Sequence, residues 1–160
     1  MCRIRFALLA ILLGFCAAAD IASAGEAEAW TALRAGRHVA LMRHADAPGG
    51  AGDPPGFRLD DCATQRNLSA RGRADAARIG ARLRSEGIAV ERILSDQRAS
   101  LTAGARAVIE KWTGRGILLV VTHGANIFAL TGISPASGEI VVVRTGSGGS
   151  SESVGRLILE

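Results

Sequence analysis

The chain has no tyrosine, few aromatic residues of any kind, and a single lysine, Lys111. So few rings cannot furnish the stacking platforms of a single-stranded nucleic-acid surface, and no nucleic-acid partner is expected. Cysteine is also thin, with only Cys2, Cys16 and Cys62, and their spacing supports neither a disulfide framework nor a thiolate metal site. Nor is there an apolar run of membrane-spanning length. The stretch from Phe6 to Ala19 falls short of the roughly 18 residues such a span needs.

That stretch fits a different purpose. Arg3 and Arg5 precede it as a short basic region, and Ala22-Ser23-Ala24 follows as a small-x-small cleavage site before Gly25, the layout of a secretory signal peptide. Cleavage after Ala24 is the expectation; an uncleaved anchor and a lipid on Cys16 are the alternatives. Residues 25–160 would then form one domain, periplasmic or secreted, with no stable membrane insertion and with Cys62 as its only thiol.

The net charge is +4, carried almost wholly by arginine, whose planar fork suits phosphate oxygens, although arginine-rich coding alone explains much of it. Two apolar runs matter most. Val39-Ala40-Leu41-Met42 ends on Arg43-His44-Ala45-Asp46, and Ile117-Leu118-Leu119-Val120-Val121-Thr122 ends on His123-Gly124. Continuous apolar runs of this kind read as buried parallel strands, and open α/β sheets bind ligands just beyond the carboxyl ends of such strands. Two histidines and an arginine, each delivered by its own strand, would converge on one anion.

Between them the chain alternates strand and helix signals. A first strand is expected over about 38–42 and a second over 90–94, with a third beginning at Ile117. Helices are expected over about 26–35, 70–85 and 99–112, with a short one from Asn126. Ser69 is a good N-cap for the second helix, in which Ala76, Ile79, Gly80 and Leu83 form one apolar stripe. Two closing strands, 140–143 and 154–159, flank a Gly/Ser-rich link. The fold class is therefore a single three-layer α/β/α domain with a mostly parallel sheet and a possible antiparallel edge hairpin at its C-terminal end. The Gly- and Pro-rich stretch from Ala45 to Cys62 reads as a long loop that would wall a substrate pocket, with Asp53, Asp60 and Asp61 as turn formers. His38, at the wrong end of the first strand, reads as structural.

Arg43-His44-Ala45, His123-Gly124 and the intervening Asn67-Leu68-Ser69-Ala70-Arg71-Gly72-Arg73 together resemble the histidine phosphatase (phosphoglycerate mutase-like) superfamily. The resemblance runs from about His38 to Val143. It implies that His44 is the nucleophile and that Arg43, His123 and Gly124 belong to the phosphate pocket. It implies a second pocket arginine too, for which Arg98, in Arg98-Ala99 and Thr102-Ala103, is the candidate, although it stands two residues nearer Ser95 than the family pattern. The family's further segment before the last helix–strand unit, which often holds the acidic proton donor, is missing between Ser95 and Ile117. Asp96 is the first candidate for that donor and Asp46 the second. The resemblance implies no cofactor, and a small phosphorylated substrate or a phosphorylated side chain as partner.

Three functions are in play. One is an exported phosphatase that cleaves a phosphate monoester. A second is a catalytically degenerate relative that binds an anionic ligand. The third is a metal hydrolase using His44, Asp46 and His123, against which the fixed cation of Arg43 argues.

Overall fold

The structure, a computed structural model, describes residues 25–49, 52–95, 102–145 and 151–159. The expected signal peptide, Asp96, Arg98 and the link at 146–150 lie outside these residues.

The elements follow in the order α1 (25–35), β1 (Val39–Arg43), a 3-10 turn (Cys62–Thr64), α2 (Ala70–Ser85), β2 (Val90–Ser95), α3 (Thr102–Glu110), β3 (Ile117–Thr122), α4 (Gly124–Thr131), β4 (Ile140–Thr145) and β5 (Ser151–Leu157). The five strands make one sheet in the order β2-β3-β1-β4-β5. β3 is parallel to both β1 and β2, whereas β4 runs antiparallel to β1 and β5 antiparallel to β4. A parallel core thus carries an antiparallel pair at one edge, as the strand–helix alternation and the closing strand pair predict.

Side chains alternate across the sheet, and each set meets its own pair of helices. Ala40, Met42, Leu119 and Val142 pack with Trp30 and Leu33 of α1 and with Ile79 and Leu83 of α2. Val39, Leu41, Val120 and Val141 pack on the other face with Ile109 of α3 and with Ile127 and Leu130 of α4. Burying one such aliphatic side chain stabilises the fold by about 2 kcal/mol, so these two layers supply most of the driving force.

Local signals fix the helix that matters most for the site. Ser69 caps α2, its hydroxyl accepting the Gly72 N–H at 2.9 Å, and Gly87 ends the helix with a positive φ of 70°. The strand register then positions the chemistry. Arg43 of β1 lies opposite Thr122 of β3, and the His44 N–H continues the ladder by bonding the Thr122 carbonyl at 3.0 Å. Adjacent parallel strands therefore end side by side, each with a histidine as its next residue.

Candidate active site

His44 and His123 meet across the ends of β1 and β3. His44 Nε2 is 3.1 Å from His123 Nδ1, and the two rings stand edge to face with centroids 4.9 Å apart. The other nitrogen of His44, Nδ1, lies 2.8 Å from the Ala45 carbonyl oxygen. A carbonyl only accepts, so Nδ1 carries the proton and Nε2 of the neutral ring holds a lone pair. His123 Nδ1 then donates to it.

The two rings form one side of a cavity of about 160 Å³, completed by Ala47, Gly52, Gln65, Arg66, Asn67 and Leu68. Arg66 is braced at its outer end. Its Nη2 donates to the Ala47 carbonyl at 2.6 Å, its Nε donates to the Ala47 and Pro48 carbonyls, each at 3.2 Å, and its own N–H donates to Asp53 Oδ1 at 2.7 Å. The electrostatics favour the neutral form of His44. Burial lowers its pKa below the ordinary histidine value; the hydrogen bond to Ala45 opposes this, and electrostatic interactions with His123, Arg66 and Arg43 lower it further.

A solved structure of the protein histidine phosphatase SixA complexed with tungstate matches this arrangement of elements at a TM-score of 0.55. The match spans 75% of this chain and 96% of that one, at 17% sequence identity. No protein-family model matches the sequence, and no curated protein does. The chain has the histidine phosphatase fold.

Within that fold the residues expected at the site divide into three groups. His44 and His123 are together in the cavity wall. Arg43 and Gly124 lie behind it. The guanidinium of Arg43 donates through Nη1 to the Pro135 carbonyl at 2.8 Å, its Nε is buried without a hydrogen-bond partner, and it is near enough for its charge to act on His44. Gly124 is where α4 crosses it: a Cβ there would come within 3.3 Å of Arg43 Cδ, so a side chain would press on the guanidinium. Asp96 and Arg98 lie outside the described residues.

Asp46 is exposed and faces α2, accepting the Ser69 hydroxyl at Oδ2 over 2.6 Å. Among the described residues, no three His, Cys, Asp or Glu side chains cluster to hold a metal ion.

The pocket wall differs from expectation. The loop over 45–62 contributes Ala47 and Gly52, but four lining residues come from Gln65–Leu68, directly before α2. The bulky loop members instead build their own exposed turn. Arg58 Nη2 bonds Asp61 Oδ2 at 2.8 Å, Asp61 caps the 3-10 turn through the Ala63 N–H at 3.1 Å, and Leu59 is 81% exposed. Asp60 lies in the turn that the Asp61 N–H closes on the Arg58 carbonyl and Asp61 caps the 3-10 turn, as predicted, whereas Asp53 sits in a bend and its side chain holds the Arg66 N–H. Arg66, Gln65 and Asn67 are pocket residues that sequence reasoning missed. The available signal was position, since Arg66 immediately precedes the Asn67-Leu68-Ser69 element.

Proposed function

We propose that the chain is an exported phosphatase that hydrolyses a phosphate monoester through a phosphohistidine on His44. The observation that carries this reading is the contact of His44 Nδ1 with a backbone carbonyl, which leaves Nε2 as the unprotonated nitrogen, 3.1 Å from His123 Nδ1 where both rings line the cavity. Nε2 attacks phosphorus in line, the P–N bond forms as the P–O bond to the leaving group breaks, and the departing oxygen takes a proton. Water then attacks the phosphohistidine, releasing inorganic phosphate and restoring the ring.

Each neighbour has a task in this scheme. The phosphoryl group enters between the rings, so His123 Nδ1–H transfers its hydrogen bond from His44 Nε2 to a phosphoryl oxygen. Arg66, with Arg43 behind, supplies the positive field that the transferring group needs. Arg98 is proposed as a further phosphate contact and Asp96 as the proton donor. Gly124 lets α4 approach. The name of the matching protein, a protein histidine phosphatase, favours a phosphorylated side chain over a small ester. Export rests on the signal-peptide layout of residues 1–24.

A second reading has one observation in its favour: among the described residues, no carboxylate lines the cavity. On that reading the pocket binds an anionic ligand without turning it over.

Hydrolysis of p-nitrophenyl phosphate by the purified protein separates the two, because its good leaving group makes little demand on an acid. The expected result is turnover that chelator leaves intact and that His44→Ala reduces at least a thousandfold, on the order seen when a nucleophile is removed. A folded protein that binds vanadate but shows no turnover favours the binding reading.

A further inference from the structure

The contacts between residue 46 and the start of α2 have no part in the scheme above, although they adjoin the nucleophile. The Asp46 carbonyl accepts the Ser69 backbone N–H at 3.0 Å, and Asp46 Oδ2 accepts the Ser69 hydroxyl at 2.6 Å. That same hydroxyl accepts the Gly72 N–H at 2.9 Å. Gly72 is the point of closest approach: a Cβ at this position would stand 2.1 Å from the Asp46 carbonyl oxygen. The helix start and residue 46 are thus held together by a backbone bond, a side-chain bond and a contact that only glycine permits.

Residue 46 is one end of a rigid unit. The peptide plane from Ala45 to Asp46 carries the Ala45 carbonyl at its near end and the Asp46 Cα at its far end. Ala45 is buried, at 3% exposure, so the near end cannot swing into solvent. Its oxygen is the acceptor for His44 Nδ1 at 2.8 Å. Where Asp46 is fixed, that oxygen is fixed, and with it the position of the proton on the imidazole.

We propose that Asp46, Ser69 and Gly72 form a positioning clasp that holds the Ala45 carbonyl on His44 Nδ1 and so keeps Nε2 as the unprotonated nitrogen beside His123. None of the three touches the reacting atoms in this arrangement; they act through the peptide plane. The catalytic consequence rests on His44 being the nucleophile, but the tautomer is a property of the resting protein. Asp46 is a positioning residue here and not the proton donor.

The test reads the tautomer directly, by imidazole nitrogen shifts in the ¹⁵N-labelled full chain, with His44 assigned by its loss in His44→Ala. Wild type and Ser69→Thr are expected to show the Nδ1–H form alone. Ser69→Ala and Asp46→Ala are expected to show a mixture with Nε2–H. In p-nitrophenyl phosphate hydrolysis the same two variants should lose roughly tenfold or more in kcat while KM stays within about twofold, the signature of misorientation and not of lost binding. Ile79→Val loosens the packing of α2 without touching the clasp, and its tautomer should match wild type. The clasp is overturned if Ser69→Ala and Asp46→Ala both keep the pure Nδ1–H form, or if Ile79→Val shifts it equally. If the variants shift the tautomer but wild type does not hydrolyse the ester, the clasp stands and the phosphatase reading falls. If Asp46→Asn leaves the tautomer intact yet slows esters with poor leaving groups selectively, Asp46 is the acid and the assignment made here is wrong.

Discussion

At the scale of single residues, the site is organised around keeping one imidazole neutral. Burial lowers the pKa of His44, and its electrostatic interactions with His123, Arg66 and Arg43 lower it further against the hydrogen bond to the Ala45 carbonyl. On the proposed function the attacking form is the unprotonated ring, so the acid limb of kcat/KM should lie below the ordinary histidine value of about 6.5, and activity should hold as pH falls through that value. Arg66→Gln removes one of the lowering charges, which should move the limb to higher pH as well as weaken phosphate binding. A pH–rate profile that does not move in Arg66→Gln would place that guanidinium too far from His44 to matter. Stability carries the same sign. A histidine whose pKa is lower folded than unfolded binds fewer protons in the native state, so its contribution is present above about pH 6.5 and is lost as pH falls through the folded value. The histidines themselves were legible in the sequence because each ends an apolar run. Arg66 was not, because its guanidinium reaches the carbonyls of Ala47 and Pro48, 19 and 18 residues away along the chain, through a loop with no periodicity to read.

At the scale of an element, α2 shows how one residue type serves opposite ends in one helix. Gly72 and Gly80 both occupy helical positions, where alanine is ordinarily favoured over glycine by roughly 0.5–1 kcal/mol. A Cβ at Gly80 would meet only the end of the Arg84 side chain at 3.6 Å, whereas at Gly72 it would meet the Asp46 backbone at 2.1 Å. Gly80→Ala should therefore stabilise the protein by about 0.5–1 kcal/mol in urea unfolding. Gly72→Ala should destabilise it by about 1–3 kcal/mol, since a backbone carbonyl must shift to admit the methyl group. Equal effects at the two positions would mean that α2 does not bear on residue 46 as described. The bounds of this helix were readable from its capping serine and closing glycine, and both are local signals. The reason Gly72 must be glycine lies in a segment 26 residues earlier, and no helix pattern contains it.

At the scale of the molecule, the support for the site is shared between the sheet's two halves. The parallel core delivers the histidines, and the antiparallel edge braces the strand that carries one of them. Glu139, just before β4, is almost fully buried. Its Oε1 pairs with Arg156 of β5 at 2.5 Å, its Oε2 accepts the Ala136 N–H at 2.7 Å, and its carbonyl accepts the Arg43 N–H at 3.0 Å. Gly138 returns the bond, its N–H donating to the Arg43 carbonyl at 3.1 Å. The sequence shows a closing strand pair but not this bracket, because an acidic residue before a β-run looks like any solvated charge until its surroundings are known. Arg156 is half-exposed, so solvent screens its end of the pair. The larger cost of losing Glu139 falls on its part-buried bond with the Ala136 N–H and on the space the side chain fills, about 2 kcal/mol together. Glu139→Gln keeps the shape and an acceptor for Ala136, so it should lose less than half as much. Glu139→Ala should lose the full amount and also loosen the turn that carries the Pro135 carbonyl, the acceptor for Arg43 Nη1. Phosphate affinity, followed with vanadate, should then fall in Glu139→Ala more than in Arg156→Ala, which removes the charge pair but leaves Glu139 bonded to Ala136. If the two variants weaken vanadate binding equally, the ion pair and not the buried acceptor is what holds β1 against the turn.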